Sequence, residues 1–405
     1  MVHVWDISIL KLNCEDKMLV KPYSASFLVS EKCNLNCSCC FEKNKNSDFM
    51  SPEIAIKSVN FLFNNFAENL SNKFLTIDDR IDITLFGGEP LLNFDTIKVI
   101  LKESDKLKEE TGFKFGINII TNGTIMSDEI VKTLKFYNQK NDNIFIQLSI
   151  DGLKESHDYY RKYYDGKGSF DVIMRNLPKF KEIFGGEDFY KDEITRSRLH
   201  IHGSLNKKTI KTMYESWKYF TDEINIPYVW FMPIHDENWN DEDVVIYDEQ
   251  LTKIANDILI KSIEEKSLIY IKDFSPLNKC LSTCKTGFDK PCGAGHSYCS
   301  ITASGDVYPC HQFYYIDKHH FKIGSIDSID ETKRSLYVRY DEADMNCSKR
   351  KCKNYNCYRC IAENYSKNGT ILNCEISKRC EMSTIEERIR NRMKDILENY
   401  KGEDK

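Results

Sequence analysis

The chain has 405 residues, 41% of them hydrophobic, and a formal net charge of −5. That length exceeds what one core usually supports, so two or three subdomains are expected, and the mild acidity gives no reason to invoke nucleic acid or an anionic membrane. No apolar stretch approaches the ~18 residues of a membrane span, and the start, MVHVWDISILKLNCEDK, has acidic residues and no apolar signal segment, so a cytoplasmic protein is expected.

Residues 1–23 read as a short strand segment, in which Val2–Leu10 could pair edge-on with a peptide. The apolar run Ser26-Phe27-Leu28-Val29 is the first buried strand, and Cys33, Cys37 and Cys40 follow it as C-x3-C-x2-C. Three thiolates so spaced can hold three irons of a [4Fe–4S] cube and leave the fourth iron open. Zinc, which normally takes four protein ligands or three and water, and plain buried thiols remain as other readings. Of the 16 cysteines, all but Cys14 cluster at 33–40 and 280–380, with none between these groups. That distribution suits metal binding better than a disulfide scaffold.

From 50 to 235 helix and strand alternate. Ser51-Pro52-Glu53 opens a helix to about Asn69. Strands are expected at 81–86, 115–120, 144–150, 198–205 and 227–232, with helices at 94–110, from 127, at 169–184 and at 208–223. Such units need a parallel sheet with right-handed crossovers, and polar or Gly-rich residues gather at the strand C-terminal ends, where parallel sheets place their sites. An acidic helix over 241–266, a cysteine-rich segment of short strands and turns, and a charged closing helix over 383–400 complete the chain.

Leu85-Phe86-Gly87-Gly88-Glu89-Pro90 ends a strand. Its glycines let the backbone approach a ligand closely, and Glu89 offers a carboxylate at the same mouth; an ordinary strand-to-helix turn reads the same way. With the cysteine triad, this run resembles the radical S-adenosylmethionine (radical SAM) superfamily. The resemblance implies a partial (β/α)6 TIM-type barrel over 24–240, with SAM chelating the open iron. Gly87, Gly88, Glu89 and Pro90 would lie at its methionine end, and Thr121 and Asn122 would border the pocket. Leu148-Ser149-Ile150-Asp151-Gly152, with His157-Asp158 and Arg161, resembles the S-x-D-G…HD-x-x-R stretch of the peptide- and protein-modifying branch. There Ser149, Asp151 and Arg161 would lie near SAM, the arginine fork on its carboxylate. The family often has an aromatic residue before the third cysteine; here it is Cys39.

Cys292-Gly293-Ala294-Gly295, followed by Gly305-Asp306-Val307-Tyr308-Pro309-Cys310, resembles the SPASM extension, expected over 280–382 after a linking helix at 241–279 and before a tail at 383–405. It implies two auxiliary [4Fe–4S] clusters, three clusters in all. Cys284 (preferred to Cys280), Cys292, Cys310 and Cys360 would hold the first. Cys347, Cys352, Cys357 and Cys374 would hold the second, with Cys380 competing with Cys374. The spacing C-x4-C-x4-C-x2-C departs from the family's C-x2-C-x5-C-x3-C. Cys299 reads as a buried thiol in a strand, with a cluster ligand as the other reading, and Cys14 as a bystander.

His200 and His202 share one strand face; His202 and His311 are the candidate catalytic side chains. His311 stands where sulfatase-maturing enzymes of the family carry an aspartate base, which counts against that activity. The resemblance implies an oxidoreductase that modifies a ribosomally made peptide by a 5′-deoxyadenosyl radical, forming a thioether or another crosslink. A sulfatase-type maturase oxidising a protein cysteine or serine is the second reading; a non-catalytic iron–sulfur carrier, which would need no SAM pocket, is the third. The implied partners are a peptide or protein substrate and an electron donor such as flavodoxin or ferredoxin; because few residues precede Cys33, either the chain's own surface or a separate leader-recognition protein would bind the peptide leader. Neither nucleic acid nor membrane is expected.

Overall fold

The computed structural model describes residues 19–42, 47–141, 143–192, 195–234, 237–264, 293–338, 360–372 and 377–403. The expected strand Val2–Leu10 and Cys14, Cys280, Cys284, Cys292, Cys347, Cys352, Cys357 and Cys374 lie outside the described residues.

Six parallel strands form the barrel wall: β1 (Ser24–Ser30), β2 (Arg80–Gly87), β3 (Lys114–Thr121), β4 (Ile144–Ser149), β5 (Leu199–Leu205) and β6 (Val229–Pro233). The helices between them are α1 (Pro52–Ser71), α2 (Phe94–Thr111), α3 (Asp128–Asn141), α4 (Lys154–Tyr160), α5 (Phe170–Ile183) and α6 (Met213–Lys218). Then come α7 (Asp241–Glu264), β7 (Tyr298–Ile301), β8 (Asp306–Tyr308), α8 (His311–Ile316), β9 (Gly324–Ser325), β10 (Ser328–Ile329), α9 (Glu331–Val338), α10 (Ile361–Asn368) and α11 (Lys378–Glu403). The local signals explain the ends. Ser51 Oγ accepts from the Ile54 N–H at 3.2 Å with Pro52 as the first helical residue of α1, and Gly112 closes α2 in the left-handed region.

All the strands join one open sheet, in the order β10-β9-β8-β7-β1-β2-β3-β4-β5-β6. The carboxy-terminal segment thus continues the barrel sheet: β7 pairs in parallel with β1, Ala25 opposite Cys299, and Ser26 Oγ donates to Ser300 Oγ at 2.9 Å across the seam. Strand alternation divides the wall. In β4, Ile144, Ile146 and Leu148 are fully buried in the main core, leaving Phe145, Gln147 and Ser149 on the half-buried opposite face. In β5, Leu199, Ile201 and Leu205 belong to the core, and His200, His202 and Ser204 take the other face.

Two local expectations change. The helix expected over 208–223 is broken into a tight turn at Thr209–Thr212, α6, and a wide turn at Tyr219–Glu223. The Tyr214 N–H bonds the Gln250 side chain of α7 at 2.9 Å, and such a side chain in the backbone ladder interrupts it. α4 was not foreseen, since KESHDYY has no apolar period.

Candidate active site

The triad loop leaves β1 at the C-terminal mouth of the wall, and its backbone is tied down from outside. The Asn36 N–H donates to Lys162 O at 2.7 Å and the Ser38 N–H to Tyr160 O at 3.0 Å, so the residues on both sides of Arg161 brace the loop. Cys33 is buried. Its sulfur receives the Leu35 N–H at 3.4 Å and the Asn122 side-chain amide at 3.8 Å. N–H donors aimed at a sulfur favour the thiolate, so the donor set of Cys33, Cys37 and Cys40 suits iron–sulfur ligation. Among the described residues no three His, Cys, Asp or Glu side chains converge on a point that would hold a single ion. A cube does not need that convergence, because each thiolate binds its own iron. Burial pushes the Cys39 thiol up to about 12, with Arg161 opposing, so it stays protonated at neutral pH.

The two glycines at the end of β2 let this turn pack closely on the backbone of the triad loop. A Cβ on Gly88 would lie 2.5 Å from Lys32 C and 2.9 Å from Cys33 N, and one on Gly87, at φ +118°, would lie 2.2 Å from Ser30 O. Their absent side chains let the Gly88 N–H reach Ser30 O at 2.7 Å and the Glu89 N–H reach Lys32 O at 3.0 Å. The Glu89 side chain is fully buried. It accepts from the Leu91 N–H at 3.0 Å, Thr121 Oγ1 at 2.8 Å and the Asn122 N–H at 2.7 Å. Glu89 therefore locks the β2 turn to the β3 turn, and Pro90 starts the helical turn behind it. Asn122 passes that order on to the triad, donating to Asn34 Oδ1 at 2.9 Å.

After β4, Ser149 lies on the half-buried face, and a second knot forms beside it. Arg161 holds Asp151 with two bonds, Nε to Oδ2 at 2.7 Å and Nη2 to Oδ1 at 2.9 Å, and the Ser204 N–H adds a third at 2.8 Å. Burial works to raise the Asp151 pKa, but Arg161, His157 and the Ser204 N–H outweigh it and hold the carboxyl below its usual range. His157 fixes both partners. Its Nδ1 accepts the Asp151 N–H at 3.2 Å, its Nε2 lies 2.9 Å from Ser169 Oγ, and the Ser169 hydroxyl donates to Arg161 O at 2.9 Å. This chain requires the neutral Nε2–H tautomer, and burial first, then Arg161 against the opposing pull of Asp151, lowers the His157 pKa to about 4. Asp158 caps α5 through the Phe170 N–H at 2.9 Å. Ser169 and Ser204 were not singled out in the sequence, since neither stands in a motif; strand β5 and the α5 entry deliver them from elsewhere in the chain.

His311, the first residue of α8, packs against Phe86 at 4.8 Å and Phe41 at 5.8 Å between ring centroids, with Nδ1 3.4 Å from the Tyr298 hydroxyl. Burial lowers its pKa to about 4. It thus stands beside the triad, whereas His202 stands across the wall on β5, edge-on to Trp230 at 5.1 Å. Burial, with Arg161 adding and Asp151 opposing, lowers His202 likewise to about 4. Cys310 stands at the N-cap position of α8, and Cys360 Sγ lies 3.6 Å from Gln312 Oε1 on the same helix, so each of these two expected auxiliary ligands stands beside α8. Cys299 is fully buried in β7, and burial pushes its thiol up to about 12. Cys380 lies within α11.

Comparison with known proteins agrees with this geometry. Residues 27–215 match the model of the Radical SAM superfamily. A cysteine-type anaerobic sulfatase-maturating enzyme of Clostridium novyi (strain NT) is 27% identical over 84% of this chain and 85% of its own. The radical SAM cyclopropyl synthase TigE of Paramaledivibacter caminithermalis is 31% identical over 38% of this chain and 32% of its own. The solved structure "Native anSMEcpe with bound AdoMet" superposes with a TM-score of 0.66 at 20% identity, covering 93% of this chain and 99% of that one, and so shares the fold. No helix among the described residues is long and apolar enough to cross a membrane. A parallel open barrel, a cysteine triad at its mouth and the match to the superfamily model converge on a radical SAM domain over residues 27–215.

Proposed function

We propose that the enzyme modifies a ribosomally made peptide, joining a cysteine sulfur to a peptide carbon or forming a related crosslink. Cys33, Cys37 and Cys40 would hold a SAM-binding [4Fe–4S] cluster, with Ser149, Arg161 and the turns Gly87–Pro90 and Thr121–Asn122 bordering SAM. When bound, cluster and SAM supply a 5′-deoxyadenosyl radical that takes a hydrogen atom from the substrate. Arg161 keeps one edge on Asp151 and would offer the rest of its guanidinium to the SAM carboxylate. The Glu89 knot holds the β2 and β3 turns at fixed separation, which orients the reacting groups. Cys310 and Cys360, with the thiols outside the described residues, would hold the auxiliary clusters. A flavodoxin- or ferredoxin-type protein would supply the electron.

The observation that favours a peptide crosslink is His311. His311 packs at the mouth against Phe86 and Phe41 as a neutral imidazole, and the family resemblance would put an aspartate base at this position in a sulfatase-maturing enzyme. The likeness to the C. novyi enzyme along most of its length favours the second reading, oxidation of a protein cysteine or serine. Anaerobic co-expression with a precursor peptide encoded next to the gene, read by mass spectrometry, separates them. Loss of two hydrogens per crosslink with the sulfur retained supports the first reading. Conversion of a sulfatase-motif cysteine to an aldehyde supports the second. Absence of 5′-deoxyadenosine after reduction with SAM would sink both.

A further inference from the structure

Helix α8 has two working faces. His311, Tyr314 and Tyr315 fall at i, i+3 and i+4, one side of a helical turn. That side meets the triad loop and its support at separate points. The Tyr314 hydroxyl donates to Glu31 Oε2 at 2.7 Å, Tyr315 meets Phe41 edge-on at 5.6 Å, and His311 packs on Phe86 and Phe41. Glu31 and Phe41 bracket the cysteines, one just before Cys33 and the other just after Cys40. Glu31 is 4% exposed, and a carboxylate buried so deeply is costly without a donor. The opposite side of α8 anchors it: Phe313 is fully buried against Phe321 and Tyr337, and Gln312 receives Cys360. Cys310 is the residue from which the helix starts.

The triad loop has no helix or strand of its own. Ordering such a loop costs roughly 1–2 kcal/mol per residue in backbone entropy, so contacts that hold it before iron arrives favour cluster assembly. We propose that α8 is a clamp that positions the triad loop for iron, with Tyr314 and Tyr315 as positioning residues, and that it couples the state of Cys310 and Cys360 to iron retention at Cys33, Cys37 and Cys40. This rests on the reading that the triad holds the SAM-binding cluster.

The test uses the full-length protein, reconstituted anaerobically with iron and sulfide. The EPR change that SAM causes in the dithionite-reduced protein reports the SAM-binding cluster alone, and its loss in samples held with a ferrous chelator before reduction gives the iron-release rate. Y314F and E31A are expected to release iron about fivefold faster, the size of one hydrogen bond. E31Q keeps an acceptor for the Tyr314 hydroxyl and is expected to match wild type in both iron release and melting, whereas Y314F, which strands the buried carboxylate, is expected to melt lower as well, so the comparison of E31A with E31Q carries the test. C310A is expected to hasten release from the triad as well. A wild-type signal whose decay Y314F leaves unchanged would overturn the clamp; unchanged decay in C310A would overturn the coupling. A wild-type protein with no SAM-responsive signal would overturn the cluster reading itself, and the proposal with it.

Discussion

Arg161 grips Asp151 through both carboxylate oxygens, at 2.7 and 2.9 Å, although the two residues come from opposite ends of the α4 segment. Asp151 is 1% exposed, so neither charge is easily left alone. Removing one member of such a buried pair costs about 3–5 kcal/mol because the other remains desolvated. D151A is therefore expected to lower the unfolding free energy by that order, and R161K, which keeps charge but loses the fork, to weaken SAM binding more than it lowers stability. Equilibrium unfolding and SAM titration of the reconstituted protein check the two effects.

Gly88 supplies a sharper test of the mouth. A Cβ there would meet backbone atoms of Lys32 and Cys33 at 2.4 to 2.9 Å, and backbone cannot swing aside as a side-chain tip can. G88A is expected to shift the triad loop and reduce iron bound after reconstitution, with helical content retained. Iron analysis with far-ultraviolet circular dichroism measures both; full iron content in G88A would refute the account.

The buried His157 makes stability depend on pH. Its folded pKa of about 4 lies below the unfolded value of about 6.5. The unfolded chain therefore binds the extra proton between those values. The stabilisation from keeping His157 neutral is complete above about 6.5 and is lost as pH falls towards 4, roughly 3 kcal/mol in all. Asp151, with its pKa held low, contributes above the unfolded carboxylate value and loses that contribution only at more acidic pH. Urea unfolding at pH 7 and pH 5 should show the loss, to which the similarly buried His200, His202 and His311 add, and H157Q should reduce the slope by the His157 share alone.

The four cysteines of the first cluster segment should separate cleanly. C33A, C37A and C40A are each expected to abolish 5′-deoxyadenosine formation and the SAM-responsive EPR signal. C39S should retain both, because the Cys39 thiol is held protonated by burial. Retention of turnover in the triple alanine variant would defeat the functional reading.

The sequence alone determined the order of the six barrel strands and of the helices between them, apart from α4 and the break in 208–223, because alternating burial and capping signals are local. Ser51-Pro52 starts α1 and the β4 alternation sets its two faces without help from distant residues. It also identified the triad, because three thiols in one short loop need no partner from elsewhere. Tertiary structure decided what the motif residues touch. Glu89, read as a carboxylate at the mouth, is turned inward to tie β2 to β3, since buried N–H and O–H donors from Thr121 and Asn122 reach it from a neighbouring strand. The alliance of Tyr314 with Glu31 joins residues far apart in the chain, and no local pattern announces it. It forms because β7 adds to the edge of β1 and carries α8 over the triad, a pairing fixed by long-range backbone hydrogen bonds and the burial of Cys299 and Ile301.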